Sequence, residues 1–284
     1  DQHGTAIISS AALLNAVELA GKKMEEVTMV ISGAGSAAIA CANLYVSFGV
    51  KPENVVMFNS KGALRKDDPK ISDMQRVYAT DKHFDDLAHA MKGADVFVGL
   101  STGDIVTPEM LLGMADNPIV FAMANPTPEI NYDLAIATRK DIIMATGRSD
   151  HPNQVNNVLG FPFIFRGALD VRATKINEDM KKAAVVALAN LAKASVPEQV
   201  NIAYGETKLT FGRDYIIPKP FDPRLIAEVP PAVAKAAMES GVALAPITDW
   251  DKYKDELLER MGSDNKMIRL LTNRARTNPK RIIF

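Results

Sequence analysis

Short apolar runs alternate with stretches of helical spacing over the first half of the chain. The runs are four to six residues long and mostly apolar, which is typical of strands buried on both faces of a parallel sheet. The predicted strands are Val27–Ser32, Asn54–Phe58, Asp95–Leu100, Ile119–Ala124 and Ile142–Ala145. The predicted helices are Thr5–Lys22, Ser36–Phe48, Asp85–Met91 and Pro108–Ala115. This alternation predicts an α/β fold, a Rossmann-like doubly wound parallel sheet flanked by helices.

The chain becomes mainly helical after Asn153. Residues 214–224 contain three prolines, which predicts an irregular segment there. We expect residues 1–248 to form one domain that includes additional C-terminal helices. Residues 249–284, with the basic stretch 266–280, are expected to form a helical linker. The helices predicted in this half are Glu178–Ala194, Pro231–Ser240 and Trp250–Met261.

The first apolar run ends in a turn with the G-x-G-x-x-A spacing of a dinucleotide-binding loop, within the string VISGAGSAAIA. Gly33 makes the tight exit from the strand, and Gly35 lets the backbone approach a pyrophosphate. The free N–H groups at the start of the following helix would hold the anion. The candidate cofactor-binding residues of the turn are Gly33, Ala34, Gly35, Ser36 and Ala37. The alternative is a tight strand–helix turn that binds no ligand.

Composition and charge narrow the classes of partner. With 284 residues, 47% of them hydrophobic, and a net charge of -1, the chain is typical of a globular protein without a nucleic-acid or membrane surface. No apolar run approaches the roughly 18 residues needed to cross a bilayer. The one cysteine, Cys41, excludes an internal disulfide and predicts a reducing, cytoplasmic location. His83 and His89 lie six apart, so no zinc site is expected on them.

The tip of the second strand indicates which dinucleotide the turn would bind. In NAD-binding units an acidic residue about 20 residues beyond the glycines accepts the ribose 2′-hydroxyl. Here the strand is followed by Asn59 and Ser60, without an acid, and then by the cations Lys61, Arg65 and Lys66. Because cations attract a 2′-phosphate that a carboxylate would repel, NADP is favoured over NAD. The alternative is that Lys61 is a solvated loop residue.

Two asparagines follow predicted strands directly. Asn125 lies in MANPTPEI after the fourth strand, and Asn156 lies in HPNQVNNVLGFPF after the fifth. Ligands of open α/β sheets bind at the carboxyl ends of strands, where an amide can donate to a carboxylate or carboxamide. Both are therefore candidate ligand-binding residues. The alternative is that they only cap turns or helices.

The strings DQHGTA, ISGAGSAAIA, MANPTPEI, GRSDHPNQVNNVLGFPFIFRGALD and DYIIPKPFDPRL together resemble the bacterial malic enzymes over essentially the whole chain. The resemblance is to the large NADP-dependent form, which carries a phosphotransacetylase-like domain at its C-terminus. The final ARTNPKRIIF resembles the beginning of that domain, and the chain starts at Asp1 without an initiator Met. We therefore expect the chain to be the NAD(P)-binding segment of a longer polypeptide.

The resemblance implies oxidative decarboxylation of malate to pyruvate and CO₂ by a homo-oligomer, with NADP, or alternatively NAD, as hydride acceptor. Asp1 matches one of three carboxylates that bind Mg²⁺ or Mn²⁺, and residues 34–37 match the pyrophosphate-binding turn. Asn125 matches an asparagine at the nicotinamide and substrate, and Asn156 matches a substrate-binding asparagine. The family's general-base Lys and acid Tyr have no counterpart here. No catalytic residue is therefore assigned, and the chain alone is expected to be inactive.

Two other functions remain open. One is a non-catalytic module that senses a dinucleotide and regulates a partner domain. The other is a different dehydrogenase with a Rossmann domain, such as an amino-acid dehydrogenase. Loss of malate-dependent activity in EDTA would favour the metal-dependent reaction over both.

Overall fold

A single six-stranded sheet forms the centre of the molecule, which a computed structural model describes for residues 2–206 and 208–260. The strand order is β3-β2-β1-β4-β5-β6; β3 pairs antiparallel with β2, and every other pairing is parallel. The Rossmann-like prediction is confirmed, and all five predicted strands are present. The strands are β1 (Met29–Ser32), β2 (Val55–Asn59), β3 (Gly62–Ala63), β4 (Val96–Gly99), β5 (Ile119–Ala122) and β6 (Ile143–Thr146).

The helices of the described residues cover both faces of this sheet, and five of them, α7 to α11, follow the last strand in the chain. They are α1 (Gln2–Leu19), α2 (Ser36–Ser47), α3 (Asp73–Arg76), α4 (Leu87–Met91), α5 (Pro108–Gly113), α6 (Tyr132–Thr138), α7 (Phe161–Asp170), α8 (Glu178–Lys193), α9 (Glu198–Ala203), α10 (Arg224–Glu239) and α11 (Trp250–Arg260). Two one-turn 3₁₀ helices, Pro52–Asn54 and Asn157–Leu159, complete the regular structure. None of the described helices is long and apolar enough to cross a membrane.

Alternate residues of each parallel strand enter opposite cores, because successive side chains of a strand point to opposite faces. In β4, Val96 and Val98 belong to the larger core, which the long helices α1, α2, α7, α8 and α10 complete. Phe97, between them, belongs to the smaller core under α4, α5 and α6. All four residues of β1, β4, β5 and β6 are buried, which explains why these strands read as continuous apolar runs.

The C-terminal helices depart from the prediction in two ways: α7 and α9 were not predicted, and one predicted helix has a different start. The helix predicted to start at Pro231 starts seven residues earlier, at Arg224, and has Pro230 and Pro231 in its interior. An interior proline removes a backbone hydrogen bond and usually ends a helix. Here both prolines are buried, because α7 lies against this part of α10. A Cβ on Gly167 of α7 would lie 2.4 Å from the carbonyl oxygen of Pro230.

Of the remaining expectations for the C-terminal half, two are confirmed and two stay untested. Residues 214–224 are irregular up to the first turn of α10, as predicted. The predicted charged helix is α11, and its Tyr253 hydroxyl donates to Asp170 at 2.8 Å. The basic stretch 266–280 lies outside the described residues, and the division at residue 248 stays a prediction.

Cys41 is buried and its pKa is raised by desolvation to about 11, so it is a packing residue.

We predict that Gly167→Ala destabilises the fold by about 1–3 kcal/mol, since the new methyl group would meet the backbone of α10. Urea unfolding would measure the change. Gly113→Ala in α5 is the matched control, because a Cβ there meets only one atom, at 4.0 Å. Alanine is the better helix former, so the control should be neutral or stabilised by up to about 1 kcal/mol. Equal effects of the two substitutions would contradict the packing described.

Candidate functional site

The strand order reverses between β1 and β4. These two strands are hydrogen-bonded neighbours, yet the chain continues from β1 towards β2 and from β4 towards β5. The connections therefore separate and leave a crevice at the carboxyl ends of the strands, the usual ligand site of open α/β sheets. A cavity of about 570 Å³ lies there, lined mainly by residues 32–35, 58–60 and 100–102.

The two glycines of the first turn are required for different reasons. Gly33 has a φ of +123°, and a Cβ there would lie 2.9 Å from the carbonyl oxygen of Leu100. Its N–H donates to the carbonyl of Phe58 at 2.9 Å, so the turn is held between β2 and β4. A Cβ on Gly35, in contrast, would meet no protein atom within 4 Å. The fold therefore requires Gly33, whereas the space beside Gly35 is open to a ligand.

The first turn of α2 presents backbone donors beside this cavity. Gly35 is the N-cap residue and no side chain caps the helix, so the N–H groups of Ser36, Ala37 and Ala38 have no intrahelical acceptor. The first intrahelical bond runs from the Ile39 N–H to the Gly35 carbonyl at 3.1 Å. Aligned donors and the positive end of the helix dipole make this an anion-binding site.

The helix α3 stabilises the glycine turn through a side-chain hydrogen bond. The side-chain amide of Gln75 in α3 donates to the carbonyl oxygen of Ala34 at 2.8 Å. Its oxygen accepts the N–H of Ser72 at 2.9 Å, and the Ser72 hydroxyl accepts the N–H of Gln75, which completes a capping box. Gln75 lines the cavity, so it is part of the site as well as of its support. The sequence contained no signal for it beyond the S-x-x-Q spacing.

The tip of β2 carries amide and hydroxyl groups. The cations that follow it differ in whether they are paired with another group. The Asn59 side-chain oxygen accepts the Lys61 N–H at 2.8 Å and so fixes the turn. Lys61 is exposed, follows the cavity residue Ser60, and forms no salt bridge within residues 2–206 and 208–260. Lys66 instead pairs with Asp81 at 2.6 Å.

Arg65 is engaged in the same loop. Its guanidinium donates to the backbone carbonyls of Asp81 and Lys82 at 3.3 and 3.0 Å. Among the described residues, no charged side chain lines the cavity itself. Of the three cations that favoured a 2′-phosphate, Lys61 is therefore the one available to it.

Asn125 lies in the exposed turn that follows β5 and does not line the cavity. Beneath this turn lies a completely buried carboxylate, Glu129. It accepts the backbone N–H of Ala124 at 3.1 Å and that of Ser101, in the turn after β4, at 3.3 Å. The hydroxyls of Ser101 and Ser32 share a hydrogen bond of 2.8 Å. A hydrogen-bonded line therefore joins the ends of β1, β4 and β5.

Burial raises the pKa of the Glu129 carboxyl, and the N–H groups of Ala124 and Ser101 oppose that shift. Sequence reasoning missed Glu129, Ser101 and Ser32. The only signal was a carboxylate at the end of an otherwise apolar and turn-forming string, MANPTPEI.

Asn156 lies at the same edge of the sheet, one strand further along. The preceding residue, Val155, donates its N–H to the carbonyl of Thr146 at the end of β6 at 2.8 Å. The Asn156 side-chain oxygen accepts the N–H of Val158 at 3.0 Å and caps the 3₁₀ turn 157–159. Its capping role is therefore real, and its amide nitrogen is the group that can donate to a ligand. Thr5 donates to the side chain of Asn157 at 3.0 Å, which brings the start of α1 to this turn.

The predicted metal ligand Asp1 lies outside the described residues. Within residues 2–206 and 208–260, no three His, Cys, Asp or Glu side chains are grouped as metal ligands. The described residues therefore do not by themselves fit Mg²⁺ or Mn²⁺, which take about six oxygen ligands.

Comparison with known proteins agrees with this geometry. A family profile described as the malic enzyme NAD-binding domain matches residues 2–205. The NADP-dependent malic enzyme of Haemophilus influenzae is 52% identical over 286 residues, covering 100% of this chain and 38% of that protein. The NAD-dependent malic enzyme of Rhizobium meliloti is 52% identical over 258 residues, covering 90% of this chain and 34% of that protein. The chain thus spans little more than a third of these relatives.

A solved structure shows the same fold. The malic enzyme of Entamoeba histolytica superimposes with a TM-score of 0.82 at 35% sequence identity, covering 99% of this chain and 57% of that one. The similarity therefore includes the C-terminal helices as well as the sheet.

We predict that Gly35→Ala lowers stability by no more than about 1 kcal/mol, the cost of alanine at an N-cap, since its Cβ would meet no protein atom, yet weakens dinucleotide binding at least about tenfold by blocking backbone approach. Titration of NADPH into the chain would measure binding, and thermal unfolding would measure stability. Gly113→Ala, remote from the cavity, is the control and should bind normally. Unchanged NADPH affinity in Gly35→Ala would show that the turn does not contact the ligand.

Proposed function

The chain belongs to the malic enzyme family, and we propose that it supplies the cofactor-binding part of an enzyme that decarboxylates malate oxidatively to pyruvate and CO₂ with reduction of NADP. One observation carries this proposal. The crevice at the strand-order reversal has two glycines of which one, Gly35, is not needed by the protein's own packing. Backbone donors of α2 lie beside it, which together suit a dinucleotide pyrophosphate.

The two halves of the dinucleotide would lie on either side of the glycine turn that follows β1. The adenosine half belongs over the tip of β2, where the ribose-binding residue of such units stands. The nicotinamide half would then lie over the ends of the paired strands β4 and β5, near Ser101 and Asn125. Bound there, the nicotinamide supplies C4 as the hydride acceptor.

The residues of the chain would bind and orient rather than move protons. The amides of Asn125 and Asn156 would donate to the carboxamide of the cofactor and the carboxylates of malate. The N–H groups of Ser36 and Ala37 would fix the pyrophosphate and hence the position of the ring. Such positioning is a large part of the rate enhancement that an enzyme gives to a two-substrate reaction. The general base and acid of the family are expected outside this chain, so the chain alone would bind cofactor without oxidising malate.

We propose NADP rather than NAD as the preferred cofactor, and Lys61 as the residue that selects it. The tip of β2 carries no carboxylate that would repel a 2′-phosphate, and Lys61 is the cation there without a salt bridge in the described part of the chain. The relatives named above include both an NADP-dependent and an NAD-dependent enzyme, so this choice needs its own test.

Lys61→Ala should raise the Kd for NADPH about tenfold, the effect of losing one hydrogen bond to a charged group, and leave that for NADH within about twofold. Lys66→Ala is the matched control, since Lys66 already pairs with Asp81. It should leave both affinities within about twofold. Equal weakening of NADPH and NADH by Lys61→Ala would argue against 2′-phosphate recognition, as would no effect on either.

A divalent metal is proposed only to the extent that Asp1 would give one carboxylate ligand. The described residues hold no site of their own for it. The other ligands would therefore come from residues outside the described ranges.

Malate-dependent reduction of NADP, followed by the absorbance of NADPH, tests the reaction. The longest natural polypeptide that contains this chain should catalyse it, and should lose activity in EDTA and regain it with Mn²⁺. The 284-residue chain alone should bind NADP without turnover. Binding of NADP without any malate oxidation by the longer polypeptide would indicate a sensing module instead. Activity of the 284-residue chain would overturn our view of where the base lies.

A further inference from the structure

Glu129 joins the two turns over which the nicotinamide half would lie. Its Oε2 accepts the N–H of Ala124, the residue before Asn125, at 3.1 Å. Its Oε1 accepts the N–H of Ser101 at 3.3 Å, and its backbone carbonyl accepts the N–H of Val106 at 2.9 Å. One residue therefore sets the distance between the turn that follows β4 and the turn that follows β5.

The end of β4 is shaped around this carboxylate. A Cβ on Gly99, the last residue of β4, would lie 2.1 Å from the Glu129 carboxyl carbon. Any larger residue at this position would displace the carboxyl group or the strand. Gly99 is extended backbone in the middle of the sheet, where glycine is otherwise unfavourable. The space is therefore reserved for the side chain of Glu129.

The fold gains little stability from placing a carboxylate here. Glu129 is completely buried, and no Lys or Arg among residues 2–206 and 208–260 forms a salt bridge with it. Burial without a cation disfavours the charged form, as the raised pKa of the carboxyl shows. A completely buried carboxyl group whose oxygens accept from the turns beside a ligand crevice is more readily explained by function than by stability.

We propose that Glu129 is a positioning residue for the nicotinamide half of the cofactor, holding the Ser101 and Asn125 turns at the spacing that receives the ring. This inference rests on the proposed function, because it requires a nicotinamide dinucleotide to lie across the crevice. In each of these turns Glu129 contacts an N–H donor. A carboxylate suits this arrangement because each of its two oxygens can accept one of the two hydrogen bonds.

Glu129→Gln keeps the size of the side chain but turns an NH₂ group towards one of the two N–H donors. One turn then loses its acceptor and moves. The adenosine side, bound by the glycine turn and the tip of β2, keeps its contacts. The substitution should therefore weaken binding of the nicotinamide half alone, whereas general damage to the fold would weaken every part of the cofactor.

Binding of NADPH and of 2′-phospho-ADP-ribose, which lacks the nicotinamide, to the 284-residue chain separates these effects. Glu129→Gln should raise the Kd of NADPH about tenfold and change that of 2′-phospho-ADP-ribose by less than about twofold. The fluorescence of bound NADPH should shift towards that of free NADPH, since its ring is less firmly held. Glu129→Asp keeps the carboxyl group at a shorter reach, and should show the same selective loss to a smaller degree if the Gln variant does not fold.

Asp222→Asn is the matched control. Asp222 is another buried carboxylate, but it pairs with Arg224 at 2.6 Å at the start of α10, away from the crevice. This variant should unfold more easily and still bind both ligands within about twofold of the wild type. Folded Glu129 variants that bind NADPH normally, or that weaken both ligands equally, would overturn the proposal. A wild-type chain that binds neither ligand would overturn the proposed function instead.

Discussion

The backbones of β1 and β4 approach each other closely at their carboxyl ends, and the rest of the site depends on this contact. Gly33 leaves β1 against the carbonyl of Leu100, at a distance that no side chain would allow. The two turns touch where the connections that leave β1 and β4 run in opposite directions, and the crevice lies at this point. The helix α2 starts directly after this contact, so its uncapped N–H groups lie beside the crevice.

The two sides of the crevice differ in the groups that form them. On the β2 side, hydrogen bonds within the loops occupy Arg65 and Lys66 and leave Lys61 available. On the β4 and β5 side, the turns are held by the buried Glu129 carboxyl group, which no cation of the described residues pairs with. Under the proposed function, the first side would select the cofactor by charge, and the second would position its nicotinamide ring by fixed backbone geometry. Donors held in place before the ligand arrives need no reorganisation when the reaction occurs.

Much of the fold was predictable because strands buried on both faces have to be apolar throughout, and the glycine spacing marks the crevice directly. The start of α10 was not, since interior prolines usually end a helix, whereas here α10 continues through Pro230 and Pro231 with α7 packed against it at Gly167. Asn156 could be placed at the correct edge from its position after a strand. The role of Glu129 could not, because one of its two partners, Ser101, lies 28 residues away and only the tertiary fold brings it near.

A crystal structure of the chain with bound NADPH tests the central claim most directly. We expect the pyrophosphate against the N–H groups of Ser36 and Ala37, the 2′-phosphate at Lys61, and the nicotinamide above the Ser101 and Asn125 turns. Density for the cofactor in the groove between α8 and α10, or at any other place on the surface, would contradict the assignment of the crevice.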